Sequence, residues 1–276
     1  MSKAIVSVVV PTKNSAATLD ACLNSITTQT YPKIEVIVVD NFSTDKTPSI
    51  ANKYTKLTYP KGPERSSQRN YGVSKANGKY VFIIDSDMVL SPTVVENCVR
   101  VMESKNEVAA VVVPEESFGE GFWAQCKKLE RSFYIGVPFM EAARFFRRSD
   151  YIKIGGFDET LNGNEDWDLS QRMGKLGRLG RIDALIYHNE GHMSLRKTMK
   201  KKYYYVQRFS EYRDKHKSSR VVKQQASPTA RYRLFLSHPV KLFRNPALGL
   251  GMLFMKTCEF GFGAIGYLRA SRRSHV

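Results

Sequence analysis

The sequence predicts an α/β fold: a mainly parallel sheet flanked by helices, followed by a basic helical C-terminal extension. Three observations carry that expectation. Short runs rich in β-branched residues end in polar residues just after positions 10, 39 and 84, as buried strands do. Helical patterns separate these runs, and strand, helix, strand at that spacing implies a parallel pair. The charge is also uneven, with 24 basic and 23 acidic side chains in residues 1–192 but 19 basic and 3 acidic in residues 193–276. A near-neutral body over 1–192 is therefore expected to carry a basic module over 193–276.

Residues 6–10 form the first run and residues 35–39, Glu-Val-Ile-Val-Val, the second. Between them Leu19, Leu23 and Ile26 share one helical face, with Ser15 ahead of them as the expected cap. A helix over 47–53, a short strand over 57–59 and a helix over 67–75 follow. Then come a strand over 80–84, a helix opened by Ser91-Pro92 and a strand over 108–113. Residues 117–192 hold more aromatics and glycines with less regular alternation, and read as the second half of the same domain. Residues 195–217 read as a basic, tyrosine-rich helix, 218–230 as a loop broken at Ser227-Pro228, and 247–268 as an apolar helix interrupted by Lys256 and Glu259. Cys22, Cys98, Cys126 and Cys258 form no C-x-x-C pair, which argues against a zinc site and a disulfide framework. The chain opens Met-Ser-Lys-Ala and then a strand, without a signal-peptide hydrophobic region, so a reducing, cytoplasmic setting is expected.

The run over 80–84 ends in Asp85-Ser86-Asp87, two carboxylates one residue apart at a strand end. In open α/β sheets ligands bind beyond the carboxyl ends of such strands. Hard oxygen ligands on a rigid edge suit Mg2+ or Mn2+, which in turn suit phosphate oxygens. The plain alternative is a solvated turn, where Asp and Ser are common. Four further segments fit the carboxylate pair: Val8-Val9-Val10-Pro11-Thr12-Lys13-Asn14, Val38-Val39-Asp40-Asn41-Phe42-Ser43-Thr44-Asp45, Arg65-Ser66-Ser67-Gln68-Arg69-Asn70-Tyr71-Gly72 and Gly163-Asn164-Glu165-Asp166-Trp167-Asp168-Leu169. In order and spacing the five closely resemble the family-2 glycosyltransferases of GT-A fold, over roughly residues 4–190.

The resemblance implies a nucleotide-diphospho-sugar donor and a divalent metal, Mn2+ or Mg2+. Asp40 matches the aspartate that contacts the base, with the Pro11–Thr12 backbone beside it and Asn14 on the same edge; its alternative is a turn residue before Ser43. Arg65 and Arg69, one helical turn apart, add positive charge at the diphosphate, the alternative for both being a solvated or salt-bridged surface face. Asp87 matches the metal ligand, and Asp85 the residue holding the ribose or the metal's waters. His188 is a candidate third ligand or diphosphate contact. Asp166, flanked by the acids Glu165 and Asp168, matches the general base. One carboxylate base with no second nucleophile implies direct displacement with inversion at the anomeric carbon. Asp168 is expected to do no more than charge the start of its helix.

The tail segment Lys200-Lys201-Lys202-Tyr203-Tyr204-Tyr205 interleaves basic and aromatic residues, a pattern that also suits RNA. The apolar stretch 247–268 has no use in a nucleic-acid module and suits a membrane, where tyrosines settle among headgroups and lysines are drawn to anionic lipid. That stretch is long enough to span, but Lys256 and Glu259 would each cost about 2.5–3.5 kcal/mol on insertion. An interfacial, monotopic helix on the cytoplasmic side of the membrane is expected, with packing on the catalytic body as the alternative, and the acceptor is expected to be a glycan or a lipid-linked molecule. Two other functions remain beside this one. A metal-dependent phosphohydrolase using Asp85 and Asp87 leaves Asp40 and Asp166 without a role. A basic nucleic-acid-binding protein would bind in a salt-dependent manner without needing Asp87. A nucleotidyltransferase would open with a glycine-rich phosphate loop, which Pro11-Thr12-Lys13-Asn14 is not.

Overall fold

A computed structural model describes residues 3–104, 107–161, 163–206 and 209–273. The chain divides into two compact units, one of Met1–Glu115, Ala142–Glu159 and Glu165–Asn189, the other of Glu116–Glu141, Thr160–Asn164 and Glu190–Val276. The second unit thus gathers the C-terminal stretch together with a segment from mid-chain. In chain order the elements are β1 (Val6–Thr12), α1 (Leu19–Thr27), β2 (Ile34–Asp40), α2 (Thr47–Tyr54), β3 (Thr58–Pro60), α3 (Arg65–Lys75), β4 (Tyr80–Ile83), β5 (Met88–Leu90), α4 (Val94–Ser104) and β6 (Val108–Val112). There follow β7 (Glu115–Glu120), α5 (Phe122–Ser132), β8 (Ala143–Arg147), α6 (Arg148–Lys153), α7 (Glu165–Met173), β9 (Arg178–Arg181) and β10 (Ile186–His192). The C-terminal helices are α8 (Leu195–Val206), α9 (Phe209–Lys215), α10 (Arg220–Ala226), α11 (Pro228–Leu236), α12 (Pro239–Phe243) and α13 (Pro246–Arg273).

The first unit holds a seven-stranded sheet in the order β3-β2-β1-β4-β8-β6-β9. β3, β2, β1 and β4 run parallel, β9 is parallel to β6, and β8 alone among these runs antiparallel to both its neighbours. The mainly parallel sheet flanked by helices expected from the sequence is therefore present, with one reversed strand. Successive strand residues point to opposite faces, and both faces are covered. Val8, Val10, Val36, Val38 and Phe82 pack with Leu19, Leu23 and Ile26 of α1 and Val95 and Val99 of α4. Val9, Ile37, Val39, Val81 and Ile83 pack with Val73 of α3, Tyr151 of α6 and Leu169 of α7. Burial on two sides is why these strands read as unbroken apolar runs.

Three local expectations are corrected. Ser15 does not cap α1: its N–H donates to Thr47 Oγ1 at 2.7 Å, and the helix opens after Thr18 without a side-chain cap. The expected loop over 218–230 is instead occupied by α10 and α11. Ser219 accepts a hydrogen bond from the Val222 N–H at 3.5 Å, and Ser227 one from the Ala230 N–H at 3.1 Å, with Pro228 in the first turn of α11. Proline is tolerated there because that N–H has no helical acceptor, so Ser-Pro ends one helix and opens the next. The helix expected over 195–217 is two helices, α8 and α9, and its residues 207–208 lie outside the described residues.

In the second unit α13 packs against α5, α8 and α12, around Cys126, Phe133, Phe235, Leu242, Met252 and Met255. The helices approach closely at glycine: a Cβ on Gly266 would lie 2.7 Å from the Tyr203 carbonyl oxygen of α8. The polarity of α13 is inverted. Its two central charges, Lys256 and Glu259, are buried, paired with each other at 2.5 Å and with Glu130 and Lys127 of α5, whereas Arg269 near its end is exposed. Its apolar residues Leu250, Phe254, Ile265 and Leu268 face outward, 47–61% exposed.

Candidate functional site

The carboxyl ends of β1 and β2 meet through side chains. Thr12 Oγ1 donates to Asp40 Oδ1 at 2.8 Å, Ser43 Oγ donates to the same oxygen at 2.6 Å, and the Ser43 N–H donates to Oδ2 at 2.8 Å. Asp40 is thus buried and already organises the turn after β2, while Oδ2 keeps room for another donor. The two loops are laced together: the Asn14 N–H donates to Ser43 Oγ at 2.7 Å, and Asn14 Oδ1 accepts from the Thr44 N–H at 2.9 Å. Asn14 and Phe42 both hold left-handed backbone, at φ 47° and 48°, which asparagine tolerates and phenylalanine rarely adopts. The Phe42 ring is 67% exposed. Asp45 opens α2 as its position suggests, accepting from the Thr47 N–H at 2.9 Å.

Helix α3 is pressed onto the sheet by small and amide residues. Gln68 Nε2 donates to the carbonyls of Thr12 and Val39 at 2.9 and 2.6 Å, tying the ends of β1 and β2. Gly72 lies against the strands, where a Cβ would come 2.4 Å from Val9 Cγ1. This close approach drives Arg69 inward until it is fully buried. Its guanidinium donates to Asp85 Oδ1 at 2.6 Å, Asp166 Oδ1 at 3.1 Å and Glu165 Oε1 at 3.3 Å. Arg65, 42% exposed, also reaches Glu165 Oε1 at 3.1 Å. Burial would raise the Asp85 carboxyl, but Arg69 and then Arg144 outweigh it and hold it well below the usual carboxylate range.

The antiparallel pairing of β5 with β10 places Met88 opposite His188, and so brings the preceding Asp87 to it. His188 Nε2 lies 3.2 Å from Asp87 Oδ2, while Asp87 Oδ1 is buried with no hydrogen-bond partner. His188 Nδ1 is 3.8 Å from Glu115 Oε2. Glu115 Oε1 in turn accepts from Arg144 Nε at 2.6 Å, and Arg144 Nη1 stands 3.7 Å from Asp85 Oδ2. A continuous series of charged groups, with the His188 imidazole between Asp87 and Glu115, therefore runs from Asp87 through Glu115, Arg144, Asp85 and Arg69 to Glu165 and Asp166.

Of the residues singled out in the sequence, Asp85, Asp87, His188, Arg65, Arg69 and Asp166 fall on this series, and Thr12, Asn14 and Asp40 cluster at the ends of β1 and β2. Pro11 is the penultimate residue of β1. The acidic surroundings expected of Asp166 are offset, since Glu165 pairs with Arg65 and Arg69, and Asp168 with Arg172 at 2.7 Å. Asp166 itself is 29% exposed, and α7 is held to β8 by Ser170 Oγ, which accepts from the Ala143 N–H at 2.8 Å. Arg144 and Glu115 were not legible beforehand. They sit in stretches without a motif, and only the register of β8 beside β4 delivers Arg144 to the site. Among the described residues no group of three or more His, Cys, Asp and Glu side chains is arranged to hold a metal ion.

Residues 7–160 match the family model described as Glycosyl transferase family 2. Glycosyltransferase GlyG of Streptococcus pneumoniae is 31% identical over 109 residues, which are 37% of this chain and 36% of GlyG. Chondroitin synthase of Pasteurella multocida is 26% identical over 203 residues, 68% of this chain but 21% of the synthase. The chain thus spans well under half the length of either relative. Among solved structures, mannosyltransferase PcManGT from Pyrobaculum calidifontis, in complex with GDP-Man and Mn2+, aligns with a TM-score of 0.66 at 19% identity, over 97% of this chain and 88% of that one. That likeness establishes the GT-A fold, together with its C-terminal helical extension.

Proposed function

Since the chain belongs to glycosyl transferase family 2, we propose that it moves a sugar from a nucleotide-diphospho-sugar to an acceptor hydroxyl or phosphate, with inversion at the anomeric carbon. The observation that carries this reading is the charge series, which ends in the partly exposed carboxylate of Asp166 and, at its other end, in Asp87 and His188. In this reading Asp40, with the Pro11 and Thr12 backbone and Asn14, receives the nucleoside, its remaining acceptor site suiting a base N–H or a ribose hydroxyl. Asp166 takes the proton of the acceptor as it attacks. Arg69 fixes the Asp166 carboxylate in place, and the half-exposed Arg65 is available to a phosphate.

The orphaned Asp87 Oδ1 and the neighbouring imidazole are a donor set that fits a hard divalent cation completed by phosphate oxygens. Asp87 and His188 would hold Mn2+ or Mg2+ with Asp85 behind them, and the ion supplies Lewis-acid stabilisation of the departing diphosphate. A phosphohydrolase with Asp85 as nucleophile fits less well, because Arg69 already holds Asp85 Oδ1 at 2.6 Å and Asp40 and Asp166 would be left without a role.

We infer an interfacial membrane association, which the second unit supports, and with it a lipid-linked acceptor beside the soluble-glycan alternative. Pro246–Arg269 is long and apolar enough to cross a membrane by length and composition. Its outward stripe is apolar, its central charges Lys256 and Glu259 are buried, and the exposed Arg269 with the exposed Lys200 and Lys201 on α8 suits anionic headgroups.

The test of the transferase reading needs no acceptor. Purified protein is incubated with GDP-mannose and with UDP- and dTDP-sugars in Mn2+ or Mg2+, and release of nucleoside diphosphate is measured. Release from one donor is expected, abolished by EDTA and by Asp87→Ala. Transfer, once an acceptor is found, is expected to fall about 100- to 10,000-fold in Asp166→Asn. If no sugar nucleotide is hydrolysed or bound, the reading fails.

A further inference from the structure

Arg144 Nη1 is buried and finds no hydrogen-bond acceptor. The residue as a whole is 7% exposed, and its Nε is committed to Glu115. The nearest opposite charge, Asp85 Oδ2, lies 3.7 Å away, beyond hydrogen-bond range, while Asp85 Oδ1 is held by Arg69. The pair therefore sets an unused N–H donor beside an acceptor oxygen. Leaving a guanidinium N–H desolvated and unpaired is costly, so the pair is suited to a group that completes both.

The chemistry of the pair selects what that group is. A phosphate oxygen placed on Nη1 would sit within a few ångströms of Asp85, and Glu115 and Asp166 are the other acids whose fields reach Arg144. Like charges so close in a partly desolvated site repel strongly. A neutral hydroxyl meets both sides at once: its oxygen accepts from Arg144 Nη1 and its hydrogen is donated to Asp85 Oδ2. Two atoms 3.7 Å apart can each lie about 2.8 Å from one bridging oxygen.

We propose that Arg144 and Asp85 form a clamp for one hydroxyl of the transferred sugar, and that this clamp contributes to the choice of donor sugar. The proposal rests on the transferase reading above and deepens it. Arg144 is a sugar-binding residue in this account, distinct from the groups at the diphosphate, and Glu115 positions it.

The test is calorimetric binding to the full chain in Mg2+, using the best donor from the panel above, its free nucleoside diphosphate, and monodeoxy analogues of the donor at each sugar position. In wild type one deoxy analogue is expected to bind about ten- to a hundredfold more weakly than the donor, as for a lost hydrogen bond to a charged group, and the others within about threefold. Arg144→Met is expected to weaken the donor by a similar factor, to leave the nucleoside diphosphate within about twofold, and to bind the sensitive deoxy analogue no worse than the donor, because the two losses are one interaction. Equal weakening of donor and nucleoside diphosphate by Arg144→Met overturns the clamp and assigns Arg144 to the diphosphate. The analogue series on wild type guards against a variant that fails to fold: if no single hydroxyl matters there, the clamp is absent. If wild type binds neither donor nor nucleoside diphosphate, the transferase reading falls and takes the clamp with it.

Discussion

Asp85 sits between two guanidinium groups, and its stability contribution has a definite pH signature. Its native carboxyl is held below the ordinary value of about 3.9, after the arginines overcome the opposing effect of burial. The contribution is therefore fully present above the unfolded value and is lost as pH falls towards the native one, because the unfolded chain takes up a proton that the native chain refuses. Asp85→Asn is expected to melt at a lower temperature than wild type at pH 7, with the gap narrowing as pH falls below about 4. Thermal melts of both proteins between pH 7 and 2.5 check this, and a constant gap refutes it. At this scale the sequence was informative where chemistry is concentrated in short motifs. Asp40, Asp85, Asp87 and Asp166 stand out because acids follow apolar runs or open a helix. The burial of Arg69 was not legible, since a polar helix face with arginines one turn apart looks alike whether it meets water or three carboxylates.

Helix α3 shows how one small residue governs a site it does not touch. A Cβ on Gly72 would meet Val9 Cγ1 at 2.4 Å and Val39 Cγ2 at 3.0 Å, so any larger side chain lifts the helix that carries Gln68 and Arg69. Gly72→Val is expected to cost about 1–3 kcal/mol by overpacking, measured by urea unfolding, and to weaken donor binding in the same protein. Stability loss with donor affinity intact would mean that α3 does not set the geometry of the site. Most elements of the first unit were legible because their strands are buried on both faces and their helices on one. The errors came where a local signal has two outcomes. Ser15 could cap a helix or join a neighbouring loop, and tertiary contact with Thr47 decided it. Ser227-Pro228 could break a chain or start a helix, and the serine's bond to Ala230 decided that.

For the whole molecule, the inverted polarity of α13 changes the energetics of lipid contact. Read linearly, Lys256 and Glu259 are charges placed into hydrocarbon. Folded, both face α5, where Lys127 and Glu130 neutralise them, and the outward stripe of Leu250, Phe254, Ile265 and Leu268 would meet lipid without that cost. Periodicity alone could not reveal this, because the partners lie in a segment distant along the chain. The protein is expected to float with phosphatidylserine-containing liposomes, and Leu250→Asp with Phe254→Asp is expected to reduce the floated fraction several-fold while donor hydrolysis persists. Wild type remaining at the bottom of the gradient would remove the membrane reading.

The same pairing between mid-chain and C-terminus has a consequence for biosynthesis. Lys127 and Glu130 emerge from the ribosome long before their counterparts on α13, and Cys126 and Phe133 emerge long before Met252 and Met255. Until α13 has emerged, the nascent second unit is a half-built bundle with a bare apolar face. Completion of α13 is the event that closes it, so a chain truncated before α13 presents chaperones and proteases with that open bundle.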